Sequence, residues 1–318
     1  MEKRRTSIVR QIRLVSGIFL ALWMVLAPLA GTRAGAAAPA GLEVRVMSFN
    51  IRYGTASDGE NRWQNRREIV CDLLRSAECD VVGLQEALAF QIDRIGKVLP
   101  KYGQVGVGRD DGRTKGEYCP ILYRQDRFML DESGTFWLSD TPDVPGSSHW
   151  GNACVRICTW VRLVEKKSGS ACYIFNIHLD HVSQPSREKS VALLAKRIRD
   201  RRCPDPFVVM GDFNAGEQNP AVMYLKGRTK LDHVAEGLSR SPVTMVDTFR
   251  VLHPEAADVG TFNGFKGDRT GEKIDYVLAP PEVTVLEAKI VRDDSDGRYP
   301  SDHFPVVALL RMPRPQPR

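Results

Sequence analysis

Phe207-Val208-Val209-Met210-Gly211-Asp212-Phe213-Asn214 is the stretch that decides how this chain folds. Four apolar residues in a row read as a buried strand. Gly-Asp-x-Asn at its exit sets an anionic oxygen beside an amide, which is chemistry for holding a metal ion, a water or a phosphate. One such tetrapeptide also reads as an ordinary turn. It gains meaning because other polar clusters end apolar runs elsewhere: Ser48-Phe49-Asn50, Gly83-Leu84-Gln85-Glu86, Asn176-Ile177-His178-Leu179-Asp180-His181 and Ser301-Asp302-His303. Ile274-Asp275-Tyr276 places an acid inside another such run.

Working outward, Val44 to Phe49, Asp80 to Leu84, Tyr118 to Tyr123, Ile157 to Val164 and Cys172 to Ile177 read as strands. So do 273–278, 283–291 and 304–310. Helical spacing appears at Ile69, Leu73 and Ala77, and again at Leu88, Ile92, Ile95 and Leu99 before Pro100. Ser186 is the expected cap of a helix carrying Val191, Leu194 and Ile198. A short helix is expected near Pro220–Met223. The Gly/Asp/Pro-rich stretches 108–117, 139–152 and 262–272 read as loops, where substrate contacts concentrate. Strands outnumber helices, and helices fall between strand groups, so sheets with helices packed outside are expected.

The chain has 318 residues and an apolar fraction of 42%, enough for a substantial core. Its first 40 residues stand apart. Lys3, Arg4, Arg5, Arg10 and Arg13 precede a nearly continuous apolar run, Leu14 to Ala30, and then the small residues Ala34-Gly35-Ala36 and Ala36-Ala37-Ala38. That order predicts a signal peptide over 1–36 and an exported, periplasmic or extracellular protein. The run also approaches membrane-span length, about 17 residues at the lower limit, so a retained anchor is the alternative.

The whole chain carries +6. The first 40 residues contribute +5 and the tail from Arg311 +3, leaving the body, 41–310, at −2. Such a body lacks the general footprint of a nucleic-acid binder. Seven cysteines, an odd number without CxxC or Cys/His zinc spacing, read as small core residues, with one or two disulfides open to an exported protein.

Asn50, Glu86, His178, Asp212, Asn214, Asp275, Asp302 and His303 together suit hydrolysis of a phosphoester. A hard divalent cation takes oxygen ligands and needs only one or two carboxylates. A second carboxylate can accept a proton from water, and a histidine can stabilise charge on a phosphoryl oxygen. Zinc is a poor match, since its sites favour nitrogen and sulfur. Asp302, directly before His303, is a candidate to fix that ring. Each residue alone has a bland explanation. Asn50 can close a turn, Glu86 can sit at a helix start, Asp275 can pair with an arginine, and the histidines can be satisfied strand-end residues. The coincidence of all the clusters argues for a site.

Taken in order, Ser-Phe-Asn, Gln-Glu after a strand, Asn-x-His-Leu, Gly-Asp-Phe-Asn, Ile-Asp-Tyr and Ser-Asp-His-x-Pro resemble the endonuclease/exonuclease/phosphatase superfamily. Deoxyribonuclease I, abasic-site endonucleases, inositol polyphosphate 5-phosphatases, bacterial sphingomyelinases and deadenylases belong to it. The resemblance covers 42–311, leaving 312–318 as a Pro/Arg-rich tail. It implies a four-layer α/β sandwich, two packed sheets flanked by helices, and hydrolysis supported by Mg2+, with Mn2+ as the alternative. By position it implies Glu86 as principal metal ligand with Asn50 beside it, and Asp275 and Asp302 as further acids at the metal. Asp212, Asn214, His178 and the Asp302–His303 pair become the catalytic set, with Tyr118 a weaker match for a phosphate-contacting tyrosine. Whether Asp212 or His303 is the base stays open. Arg156 and His181 are candidates for substrate contact. Arg156-Ile157-Cys158-Thr159-Trp160 and the Asn-Ile-His-Leu-Asp-His segment are similar to small secreted bacterial members.

The expected partner is thus a phosphoester of open class, with the chain a monomer and any membrane contact confined to an uncleaved leader. An extracellular nuclease is one alternative. A non-catalytic, membrane-tethered binding module of the same fold is another, weakened by the complete acid and histidine pattern.

Overall fold

A computed structural model describes residues 41–313. The leader expected over 1–36 lies outside the described residues, as does the tail beyond Pro313. No helix among the described residues is long and apolar enough to cross a membrane.

The chain opens with β1 (Leu42–Asn50), crosses through α1 (Trp63–Ser76) and returns as β2 (Val81–Gln85). Then follow α2 (Ala89–Val98), β3 (Tyr102–Val105), β4 (Ile121–Arg124), β5 (Phe128–Trp137), β6 (Ile157–Glu165) and β7 (Ala171–His178). A second crossover, α3 (Gln184–Arg199), leads to β8 (Phe207–Asp212). The chain finishes with α4 (Pro220–Leu225), β9 (Val246–Asp247), α5 (Thr248–Leu252), β10 (Asp275–Ala279), β11 (Thr284–Ile290) and β12 (Val306–Met312). The strands form two six-stranded sheets, in the orders β11-β12-β1-β2-β4-β3 and β5-β6-β7-β8-β10-β9.

Each sheet is antiparallel except for one central pair, β1/β2 and β7/β8. A parallel pair requires a long crossover, and α1 and α3 supply it. The side-chain alternation of each strand then builds the layers. Val44 and Val46 of β1 face the second sheet, meeting Ile174, Val208, Met210 and Val277. Met47 and Phe49 point the other way, onto Trp63, Val70 and Leu74 of α1 and Ile92 and Ile95 of α2. Tyr173, Phe175 and Ile177 of β7 turn outward to Val191, Leu194 and Ile198 of α3 and Val222 of α4. The result is the expected four-layer sandwich of helix, sheet, sheet and helix.

The same alternation positions the polar residues. Asn50, Asn176, His178, Asp212 and Asp275 occupy positions an even number of residues from inward-facing core side chains, so they too face between the sheets. Ladder register sets Asp212 opposite both His178 and Asp275. Deeper in, Gln85 and Asn176 pin the two sheets together. Gln85 Nε2 donates to Asn176 Oδ1 at 2.7 Å, and Asn176 Nδ2 donates to the carbonyls of Leu84 (2.8 Å) and Pro120 (2.9 Å).

Three details differ from expectation. The cap of α3 is Ser183, whose side chain accepts from the Ser186 backbone N–H; Ser186 is a buried first-turn residue. Pro185 makes Ser183 the better cap because proline suits the first turn, where its missing N–H costs nothing. The long strand β5 had no visible pattern, since it is an edge strand with a bulge at Leu130/Glu132 and a largely exposed face. Tyr118 makes only an isolated bridge to Ala87, and the strand proper begins at Ile121. The loops at 108–117, 139–152 and 262–272 hold no helix or strand beyond the isolated bridge of Phe262 to His303. All seven cysteines are free thiols, five of them buried.

Candidate active site

The carboxyl ends of β1, β2, β7 and β8 meet at one rim of the sandwich, the usual place for a crevice in parallel α/β sheets. Three non-glycine residues there take left-handed backbone: Arg52 (φ 56°), Glu86 (φ 59°) and Asn214 (φ 44°). Such conformations are held against their preference by surrounding contacts and gather at functional sites.

Asp212 is the hub. Its Oδ2 accepts from Asn50 Nδ2 (2.9 Å) and its Oδ1 from the Asn214 backbone N–H (2.9 Å). His178 Nε2 lies 3.5 Å and His303 Nε2 3.8 Å from Oδ2. Asn50 Nδ2 also donates to Glu86 Oε1 (3.1 Å) beside it, so that its bond to Asp212 ties the two sheets across the mouth. The Tyr53 backbone N–H holds Glu86 Oε2 (3.1 Å). Burial, and then the charge of Asp275, push the Asp212 carboxyl up to about 7.

His303 is held by Asp275, whose Oδ2 is 2.9 Å from Nδ1. Burial works against a charge on this ring, but Asp275 and then Asp212 win and raise it to about 10, so it is an imidazolium. Asp302, the sequence-based candidate for fixing the ring, instead faces Arg52, whose Nε is 3.6 Å from its Oδ2. Adjacent residues point in different directions, and the partner of His303 comes from β10. Phe262, half exposed, stands edge-on to the His303 ring with centroids 5.2 Å apart.

His178 behaves in the opposite way. Burial first, and then the nearby charges of Arg156 and Arg109, hold its imidazole well below the ordinary value, so it is neutral. Asn214 Nδ2 donates to His178 Nε2 (3.0 Å) and to the Leu179 carbonyl (3.0 Å). Arg156 is almost fully buried and reaches His181 Nδ1 with Nη2 at 3.0 Å. Arg109, paired with Glu117 at 2.7 Å, lines the same crevice as Tyr118, Arg156 and His178. The Tyr118 hydroxyl, however, donates to the Arg113 carbonyl (2.9 Å).

The site is thus polarised. Glu86 and Asp302 stand on one side with Arg52; Arg109, Arg156 and His181 stand on the other. Arg52 itself is held by Asp58 through two bonds of 2.9 and 3.1 Å. Arg66, completely buried, donates to the carbonyls of Ile51 (2.6 Å), Arg52 (2.9 Å), Asn61 (2.9 Å) and Pro300 (3.0 Å), joining the loop after β1 to the one before Asp302. Neither arginine was singled out in the sequence, because a lone arginine in a loop or an amphipathic helix carries no pattern.

The donor set fits a hard cation. Burial, and to a lesser degree the charge of Glu86, push the Asp302 carboxyl above its ordinary value against the pull of His303 and Arg52. Asp212, Asp275 and His303 also bring ligand atoms within 4.8 Å of one another, with Asp275 Oδ1 buried and unbonded. Asp275 Oδ2 is committed to His303, which leaves its Oδ1, together with Glu86, Asp302 and Asp212, to face a cation. Cys154 approaches Asp180 and His181, but Asp180 already accepts the backbone N–H groups of Ala153, Val182 and Ser183.

Comparison with known proteins agrees with this geometry. The fold is that of the α/β-sandwich phosphoesterases. A model of the Endonuclease/Exonuclease/phosphatase family matches residues 47–303, and the chain belongs to that family. It is similar to the solved endonuclease/exonuclease/phosphatase from Bacteroides vulgatus, at 34% identity and TM-score 0.75 over 86% of this chain and 100% of that one. It is also similar to a mannosyl-6-phosphatase from Bacteroides thetaiotaomicron, at 31% identity and TM-score 0.72 over 84% and 99%. An uncharacterized protein of Acanthamoeba polyphaga mimivirus is 29% identical over 186 residues, 55% of this chain and 68% of its own. Members of the family are phosphoester hydrolases that use a divalent metal.

Proposed function

We propose that this chain is an exported, metal-dependent phosphatase acting on a sugar phosphate. The observation that carries the reading is the Asp212 hub, a carboxylate held by two amides beside one neutral and one protonated histidine. Similarity to the mannosyl-6-phosphatase over nearly its whole length supports the sugar phosphate. The body charge of −2 speaks against a long polyanion such as DNA. The leader composition supports export.

Glu86 and Asp302, with Asp212 close by, would hold Mg2+ or Mn2+. A divalent cation held there would neutralise charge on the phosphoryl oxygens. The protein's own groups do the rest. Asp212, oriented by Asn50 and Asn214, accepts the proton of the attacking water. His303, protonated and fixed by Asp275, donates a hydrogen bond to a phosphoryl oxygen as charge builds there. Arg156, buttressed by His181, holds a further phosphate oxygen and fixes the approach.

Turnover of hexose phosphates, bis- and mono-p-nitrophenyl phosphate, sphingomyelin, RNA and plasmid DNA by purified residues 37–318 tests this reading. The expected result is Mg2+- or Mn2+-dependent release of phosphate from sugar phosphates, abolished by chelator. Asp212→Asn should lower kcat/KM by about 10²–10⁴-fold. Full turnover in that variant would discard the assigned base, and preferential cleavage of DNA would replace the phosphatase with a nuclease.

A further inference from the structure

The outer face of the second sheet is not fully closed by helices. Between α3 and the loops at 139–150 and 233–238 lies a cleft of about 820 Å3. That is within the range of pockets that enclose small ligands, about 300–1,000 Å3. Its aromatic surface is the partly buried ring of Trp160, which rests on the buried ring of Phe175 with centroids 6.5 Å apart at 29°. Trp150, partly exposed, forms a wall. Its indole N–H donates to Asp140 Oδ1 (2.7 Å), and Lys189 Nζ lies 5.8 Å over its ring.

The rim carries many charges, but most are already matched. Lys196 pairs with Asp200 (2.9 Å), Arg197 with Asp143 (2.7 Å), and Arg202 with Asp131 (2.9 Å) and Glu132. Arg201 donates to the carbonyls of Ile198 (2.7 Å) and Asp205 (2.8 Å). A rim neutralised in this way is no trap for a polyanion. An acyl chain would have to strip water from those ion pairs without replacing it. A neutral saccharide meets both demands. Its hydroxyls bond to carboxylates and to ammonium or guanidinium groups alike, and its polarised C–H faces rest on the electron-rich aromatic faces.

A short hydrogen-bonded path runs from the wall of the cleft toward Arg156. The Trp150 carbonyl accepts from Ser183 Oγ (2.7 Å), and Ser183 lies two residues beyond His181, the partner of Arg156. We infer that this cleft is a subsite for the neutral oligosaccharide that carries the phosphorylated sugar. The inference rests on the sugar-phosphate reading above, but its test does not need turnover.

Calorimetric titration of the purified protein with neutral manno-, gluco- and galacto-oligosaccharides, none carrying phosphate, reads the subsite directly. One series should bind, and Trp150→Ala should weaken it at least about tenfold. Lys189→Ala, a surface change that leaves the fold alone, should weaken it by a smaller factor. In kinetics, Trp150→Ala should lower kcat/KM for a phosphorylated oligosaccharide about tenfold while leaving a free hexose phosphate within about twofold. Absence of binding by every series, or binding unaltered in both variants, overturns the inference. Oligosaccharide binding without hydrolysis of any sugar phosphate would keep the subsite and sink the phosphatase reading instead.

Discussion

Asp212 and His303 share an acid, Asp275, and that sharing sets the pH behaviour of the site. On the proposed mechanism Asp212 must be ionised to accept a proton. Its carboxyl is raised to about 7 by burial and then by Asp275, so kcat/KM should climb with pH, and a bound cation should draw the climbing limb to or below that value. His303 must keep its proton, so activity should fall again as pH nears 10. In Asp275→Asn both groups lose the charge that raises them, and the whole pH–rate profile between pH 5 and 10 should move to lower pH. An unmoved profile would mean that Asp275 does not act through either group. Much of this constellation was legible beforehand. Asn50, Glu86, His178, Asp212, Asn214 and His303 each end an apolar run; the fold brings the first five into one hydrogen-bonded cluster and sets His303 Nε2 3.8 Å from Asp212. The partner of His303 was not legible, because neighbours in the chain are poor guides to neighbours across a ladder.

At the scale of elements, the central strands wrote themselves into the sequence because both of their faces are buried. Their apolar runs end where the site begins. The edge strand β5 is mostly exposed and bulged, so its residues follow no two-residue rhythm. The contribution of α1 was also hidden. Its Arg66 reaches back to four loop carbonyls, one of which, that of Arg52, also accepts from Gln91. Arg66→Met keeps the length and removes the donors. It should cost on the order of 3–5 kcal/mol in urea unfolding, since several buried acceptors lose their only cation. It should also lower activity, because the loops carrying Arg52 and Asp302 lose their common anchor. A loss below about 1 kcal/mol would show that water replaces the guanidinium.

For the molecule as a whole, the site gathers buried acids whose mutual stress a bound cation would relieve. The metal-free Asp212 carboxyl sits above its unfolded value, so its contribution favours the folded state at low pH and is lost as pH rises through about 7. A cation binds only the ionised form well. The rise in Tm on adding Mg2+ or Mn2+ should therefore be larger at pH 8 than at pH 5.5, and Asp212→Asn should flatten that difference. Equal shifts at both pH values would place the cation away from Asp212.

β1 enters at Leu42, pairs there with Met312 of β12, and delivers Asn50 to the site at its other end, roughly 26 Å away at about 3.3 Å per residue. Both ends of the folded body therefore emerge side by side at the pole opposite the catalytic mouth. A linker from Met312 to Leu42 would close the body into a ring with few added residues, and new ends could be cut in an outer loop. A bead or a fused domain attached at that pole would leave the mouth turned toward solution.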